Sequence, residues 1–471
     1  MTDVFTASTE QGARSGRARR VALPRKALNV LADRPQGFDP LSLLEAQSEA
    51  RVPDLVPLRY SRMAASEFAF LRGAAAIMAY DLALAPSTGI DVQLCGDAHL
   101  ANFGVFFSPE RRLVFDVNDF DETLPGPFEW DLKRLVASAA VSLGEMNFTE
   151  RDTMRVLLSA LSVYRTGMKG LAQQGNLEVW YSHLDVESLL DPLREIFQDE
   201  HRSPVDDIVA RARRSDAKQA FKKLIVMEGG RMRFRSEAPL LVPLEELIEQ
   251  ELVRTQVPDI LHDTFEGYAS SLPDDRAHLL RSFETVDVAR KVVGVGSVGT
   301  RCFVILYMGR SYADPFILQV KEAMPSVLES HLGPSRYPTA GQRVVEGQRM
   351  VQTTPDIFLG HHRTAYSDTE FHDFYFRQFH DGKASVNLNV VSDVERASAY
   401  LGVCAWTLAR GHARSGDRSE IASYLGGSDV FDRALGEWGM AYKDRNKQDY
   451  DAFTAAIKAK RIPTIPEPIK R

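Results

Sequence analysis

The 471-residue sequence predicts an α+β chain of two lobes, a large and mainly helical one and a small one built on an antiparallel sheet. Three observations point there. Apolar residues recur at helical spacing through much of residues 63–275 and again from residue 397. From Val286 the chain turns to β-rich runs separated by Gly, Ser and Asp. Two earlier strand ends open onto polar clusters, and the glycines and lysine that would complement them come much later in the chain.

Composition narrows the class. With 44% hydrophobic and 26% charged residues, 31 Gly and 23 Pro, the chain is globular, and collagen-like, coiled-coil and wholly disordered classes are excluded. Fifty-seven Lys+Arg against 64 Asp+Glu leave a net charge of -7, so no nucleic-acid partner is expected. Cys95, Cys302 and Cys404 are an odd, widely spaced set, neither a disulfide framework nor a CxxC pair. No apolar run reaches the roughly 18 residues of a membrane span, and the first 26 residues lack the apolar stretch of a signal peptide. A cytoplasmic protein without a membrane partner is expected.

In chain order, residues 1–58 are expected to form a basic arm and lead-in. To about residue 30 it should be flexible, because Arg14, Arg17, Arg19, Arg20, Arg25 and Lys26 have few apolar residues between them. Residues 59–280 form the helical lobe. Leu71, Ala75, Met78 and Leu82 keep helical spacing up to Pro86 and Gly89. A strand at 92–94 leads into Cys95-Gly96-Asp97-Ala98-His99-Leu100-Ala101-Asn102, and another at 113–115 opens onto Asp116-Val117-Asn118-Asp119-Phe120-Asp121-Glu122. Leu132, Leu135, Val136, Ala139 and Leu143 then line one helical face, Thr149 with Asp152 resembles a capping box, and helices continue to about residue 275. Arg211, Arg213, Arg214, Lys218, Lys222 and Lys223, against Asp216 alone, read as a solvated helix face.

Residues 281–385 form the sheet lobe, with β-rich runs at 291–295, 302–308 and 316–320, a helix at 341–352 and a strand at 374–379. Residues 386–471 supply helices that complete the large lobe and a Pro-rich tail. Ala397, Leu401, Ala405 and Leu408 mark the first of them, capped near Asp393.

Gly294-Val295-Gly296-Ser297-Val298-Gly299 matches GxGxxG, which alone is a weak signal. A dinucleotide fingerprint must open a helix, whereas the residues after Gly299 are β-branched and aromatic, so the glycines join two strands. That is the setting of a kinase-type phosphate loop, with a plain glycine hairpin as the alternative. Gly294, Gly296, Ser297 and Gly299 are the nucleotide candidates there. Lys321, ending the apolar strand of Gln319-Val320-Lys321-Glu322-Ala323, resembles the VAIK lysine that neutralises phosphate oxygens. Glu346 is its expected helix partner, with Glu322 and Glu329 as rivals.

Asp97 and Asn102 have the spacing of the HRDxxxxN catalytic loop, with Cys95 in the histidine position. Asp97 is the candidate base, and Asn102 with Asp119 offers hard oxygen donors for Mg²⁺. Asp116 and Asp121 flank Asp119. Asp121 is placed with the metal set, and an N–H-bonded turn carboxylate is the other role open to each. Asp131, at the end of Gly126-Pro127-Phe128-Glu129-Trp130-Asp131, resembles the structural aspartate that follows the metal loop of aminoglycoside-phosphotransferase-type kinases. His99, His361, His362, His372, His380 and His412 lack zinc spacing and read as satisfied core or surface histidines.

These motifs, with Phe70-Leu71-Arg72-Gly73, Gly299-Thr300-Arg301 and Gly411-His412-Ala413-Arg414-Ser415-Gly416-Asp417, resemble the bacterial family called domain of unknown function 2252 over residues 59–417. The resemblance implies a bilobal, protein-kinase-like fold. The order of parts is inverted for a kinase, since the catalytic and metal loops precede the glycine loop and lysine, so a circular permutation is expected. The expected function is ATP- and Mg²⁺-dependent phosphoryl transfer to a small-molecule hydroxyl. The alternatives are a pseudokinase-type nucleotide-binding regulator and a nucleotidyl (AMP) transferase. Gly96-Asp97-Ala98-His99 also resembles a metallophosphatase GDxH, but its companion GNH and an upstream DxH are missing.

Overall fold

The computed structural model describes residues 2–188, 196–197, 204–214, 217–247, 251–311, 313–367, 369–379, 382–386, 388 and 391–466. Asp216 and His380 lie outside them. The chain is α+β, with antiparallel sheets.

The largest sheet has six strands in the order Gly360–Ala365, Phe371–Gln378, Pro315–Glu322, Cys302–Met308, Glu284–Lys291 and Leu241–Pro243, every neighbouring pair antiparallel. Pro315–Glu322 is buried at every position, as expected for a central strand covered on both faces. Its pleat sends Phe316, Leu318 and Val320 into one apolar cluster with Tyr268, Phe374 and Phe376. The alternate residues face the other way. Ile317 enters a second cluster with Leu306 and Phe379, while Gln319 and Lys321 open onto a cleft.

A second sheet orders Ala384–Ser385, Phe103–Phe107, Leu113–Val117 and Leu184–Asp185, so the same chain exit from the large sheet adds a strand beside the early polar loops. The long helix Val394–Ser415 packs on the strand Leu113–Val117, and Glu129–Glu145, Glu150–Leu171 and Val430–Lys458 pack with it and on one another. The apolar stripe Leu132, Leu135, Val136, Ala139 and Leu143 is fully buried. Thr149 caps its helix by accepting the Asp152 N–H, and Asp393 does the same for Arg396. Among the described residues, no helix is long and apolar enough to cross a membrane.

Three expectations need correction. The basic N-terminal residues are not a loose arm, because Thr2–Ala22 is a helix that packs on the helix Arg418–Leu425. Little apolar surface is used there. A Cβ at Gly16 would fall 2.1 Å from the Glu420 carbonyl oxygen, so glycine permits the close approach. Arg20 donates to the Tyr424 carbonyl and Arg25 to that of Leu425. Composition misses this kind of docking because hydrogen bonds replace hydrophobic burial.

Second, the helices do not run unbroken to residue 275. Ile225–Glu228 and Arg231–Phe234 form a hairpin turned by Gly229 and Gly230, both at positive φ, and Leu241–Pro243 joins the large sheet. Third, the chain leaves its strand at Lys291, so most of the expected run at 291–295 is already loop.

Candidate active site

The largest sheet and the helical region meet at a cleft of about 340 Å³. The early loops build one wall. Strands Phe103–Phe107 and Leu113–Val117 pair with Phe103 opposite Val117, which brings the residues just outside the ladder together. The Asn118 N–H accordingly donates to the Asn102 carbonyl at 2.8 Å. The turn containing Asp97 and the turn containing Asp119 are thereby fixed side by side.

The Asp97 turn has its own anchor. Gly96 sits at φ +86°, where a Cβ would fall 2.1 Å from the Glu122 carbonyl oxygen, so only glycine fits. The buried Asp131 carboxylate accepts the N–H groups of Cys95 at 2.9 Å and Gly96 at 3.0 Å. His412 Nε2 lies 3.2 Å from Asp131, and its Nδ1 is 2.9 Å from the Tyr164 hydroxyl. Asp131 thus holds the turn from behind and does not line the cleft.

Asp97 does line it. Arg134 Nε donates to Asp97 Oδ1 at 2.7 Å, and Asn102 Nδ2 donates to the Asp97 carbonyl at 2.7 Å. Burial would raise the Asp97 carboxyl, but Arg134 first, and then Arg72, outweigh it and hold it below the ordinary carboxylate range. Burial drives His99 down to about 3, so its ring is neutral.

The glycine loop forms the opposite wall. Its short turn Val295–Ser297 hangs between the strands Glu284–Lys291 and Cys302–Met308, and Gly294, Gly296 and Ser297 reach the cleft. Gly299 does not. It sits at φ +91° against Arg51, and its carbonyl accepts the Val52 N–H, so its part is to turn the loop.

Lys321 crosses from this wall to the other. Its Nζ lies 2.7 Å from Asp121 Oδ2 and 3.6 Å from Asp119 Oδ1. Burial would lower the Lys321 ammonium, but Asp119 and Asp121 raise it well above the ordinary lysine value. Burial opposes ionisation of Asp119 too, and Lys321, Arg377 and Lys383 together keep it below the usual range.

Glu346 is not the partner of Lys321. It pairs with Arg349 at 3.0 Å and lies outside the cleft lining. Its helix, Ala340–Val351, instead sends Arg343 inward, where it donates to the Asp121, Thr123 and Met324 carbonyls. The rivals are engaged elsewhere as well. Glu322, one residue along the strand, faces the opposite side of the sheet and binds Arg301 and His372. Glu329 accepts the Ser326 N–H. Asp116 turns away from the cleft to Arg410 at 2.6 Å.

Both Asp121 oxygens are occupied within the protein, one by the Tyr375 hydroxyl at 2.6 Å and the other by Lys321 and by Ser297 Oγ at 3.2 Å. Asp119, equally exposed, carries fewer hydrogen bonds from the protein. Among the described residues, no group of three or more His, Cys, Asp or Glu is gathered for a metal. Asp119 with the Asn102 amide supplies two hard oxygens, a set that suits Mg²⁺ shared with phosphate oxygens and water. The cations suit a polyphosphate equally. Arg377 and Lys383 both donate to the Asn118 carbonyl beside Asp119, and burial with Arg377 brings Lys383 down to about 7.

Sequence motifs passed over Arg51, Arg59, Tyr375 and Arg377, because arginine and tyrosine outside a known spacing carry no signal.

A family model described as an uncharacterized protein conserved in bacteria (DUF2252) matches residues 51–456. No curated protein and no solved structure gives a significant match.

Proposed function

Since this chain belongs to the bacterial DUF2252 family, we propose that its cleft is the active site of an ATP- and Mg²⁺-dependent phosphotransferase, kinase-like and circularly permuted, acting on a small-molecule hydroxyl. The observation that carries this is the ion pairing of Lys321 with Asp119 and Asp121. A lysine on the third strand counted from the glycine-loop hairpin faces the aspartates that follow the Asp97 turn, which sets a phosphate-binding amine beside the candidate metal carboxylate, although the helix glutamate that pairs with a kinase lysine is not at this lysine. The order of the two halves in the chain is then immaterial, because chemistry depends on where groups meet.

Bound Mg·ATP supplies the phosphoryl group and the charge neutralisation that its transfer needs. Of the chain's own groups, Lys321 and the glycine-loop N–H groups hold phosphate oxygens, and Asp119 with Asn102 holds the metal. Arg134 fixes the orientation of Asp97. Asp97 accepts the acceptor's hydroxyl proton as that oxygen bonds to phosphorus and the bond to ADP breaks. Buried free Cys95, Cys302 and Cys404 suit a reducing cytoplasm.

One feature favours nucleotide binding without transfer. Asp97 is tied by Arg134 and held below the ordinary carboxylate range, which weakens it as a base. ATP labelled separately at the α- and γ-phosphorus, offered with a panel of hydroxyl acceptors, decides between them. Transfer of the γ-label supports the kinase, and transfer of the α-label supports nucleotidyl transfer. Binding with neither transfer leaves the regulator.

A further inference from the structure

We propose that Arg51, Arg59 and Arg72 form a phosphoryl-binding subsite beneath the glycine loop, separate from Lys321, that takes a phosphate monoester group. The three come from consecutive pieces of one segment: Arg51 ahead of the turn Pro53–Leu55, Arg59 in the helix Val56–Met63 and Arg72 in the helix Glu67–Gly73. The glycine loop is fastened to this segment. Val52 N–H donates to the Gly299 carbonyl, Arg51 Nη1 to the Val298 carbonyl and Arg62 Nη1 to the Val293 carbonyl. The segment is therefore the floor on which the loop rests, and all three arginines line the cleft there.

Their hydrogen bonding is incomplete. Arg59 is 1% exposed and donates through Nη2 to the Gly73 carbonyl, while its Nε and Nη1 have no partner. Arg51 and Arg72 each leave Nε unpartnered. Among the described residues, none of the three makes an ion pair within 4 Å; of the carboxylates that act on them, Asp97 is engaged by Arg134, Asp119 and Asp121 by Lys321, and Glu122, which acts most on Arg51, accepts the Val327 N–H. Buried guanidinium groups without carboxylates are costly unless an anion completes them. A tetrahedral phosphate, with several acceptor oxygens and up to two negative charges, suits N–H donors from three side chains that line one cleft. Burial and the proximity of Arg51 already lower Arg59 to about 9, the strain that a bound anion would relieve.

Two sources carry this chemistry: the outer phosphates of the nucleotide, or a phosphate on the acceptor. The test titrates the full chain with inorganic phosphate by calorimetry and follows its melting temperature. The wild type is expected to bind phosphate and to melt higher in its presence. Arg72→Gln should weaken that binding about ten- to hundredfold, and Arg59→Met should abolish the phosphate-dependent rise in melting temperature. Should Arg59→Met fail to fold, Arg72→Gln decides alone. Phosphate still bound under saturating Mg·ATP assigns the subsite to the acceptor. Displacement by ATP, with Arg72→Gln weakening ATP more than AMP, assigns it to the nucleotide. Absence of phosphate binding by the wild type, or binding unchanged in Arg72→Gln, overturns the subsite. The kinase reading fails separately: phosphate binding without any label transfer keeps the subsite and removes the phosphotransferase.

Discussion

Lys321 Nζ donates to Asp121 Oδ2 at 2.7 Å, although 200 residues separate the two along the chain. Tyr375 and Ser297 meet the same carboxylate, so a single aspartate gathers the third strand, its neighbour Phe371–Gln378 and the glycine loop. Asp119, two residues away, is 3.6 Å from Lys321, is as exposed as Asp121 and carries fewer hydrogen bonds, accepting the Asp121 N–H at 3.3 Å. Both aspartates of this turn line the cleft, but Asp121 is taken up in joining the halves, whereas Asp119 carries fewer bonds.

Substituting the two separately should divide these tasks. Asp121→Asn removes the charge that holds buried Lys321, so thermal or urea unfolding should show a loss of roughly 2–4 kcal/mol. Asp119→Asn, which removes the other charge beside Lys321, should also cost stability, but in addition it should make ATP binding insensitive to Mg²⁺, as measured by titration at several metal concentrations. Equal effects of the two on metal dependence would contradict the division.

Asp97→Asn should cut label transfer by about 10²–10⁴-fold while ATP affinity stays within a few-fold, because the amide can still hydrogen bond but cannot accept the proton. Steady-state kinetics beside equilibrium binding read the two quantities. A wild-type rate in this variant would remove Asp97 as the base.

Lys321→Met should weaken ATP binding at least tenfold, and Lys321→Arg should not restore it, since a planar fork cannot replace a point charge in this enclosed position. Glu346→Ala should leave ATP affinity unchanged, because Glu346 meets Arg349 and not Lys321. The pair of measurements tests the correction directly. A large loss in Glu346→Ala would reinstate it as the lysine's partner.

Away from the cleft, Lys133 is 2% exposed under the Trp438 ring, and burial, opposed by Glu129, lowers it to about 8. Its folded value lies below the unfolded one near 10.5. The cost of the buried charge is therefore fully present below pH 8, and it is relieved as pH rises from about 8 towards 10.5 because the unfolded chain binds the extra proton. Lys133→Met should be the more stable protein at pH 7, by about 1–3 kcal/mol, and its advantage should shrink by pH 10. Melting curves of the two proteins across that range give the difference. An advantage independent of pH would exclude titration of Lys133 as the cause.

What could be read from residues alone follows the range of the signal. Strand Pro315–Glu322 was legible as a continuous apolar run, and the stripe from Leu132 to Leu143 by its helical spacing. Asp97, Asn102, Asp119 and Lys321 stood out because they resemble kinase motifs of fixed local spacing, and the four line one cleft. Glu346 was misplaced because helix phase relative to a sheet is decided by packing. Gly347 lies against Thr123 and Gln93, which turns Arg343 inward and leaves Glu346 to Arg349. Arg51 and Arg59 were invisible, since a cation buried by tertiary contacts looks like any surface arginine in one dimension. The N-terminal helix was missed for a related reason, its docking resting on glycines and carbonyl groups.

A crystal structure of the full chain with Mg²⁺ and a non-hydrolysable ATP analogue tests the central claim most directly. The phosphates should lie between the glycine loop and Lys321, with the metal bound by Asp119. A nucleotide bound on another surface, or a cleft that excludes it at saturating concentration, would contradict the account.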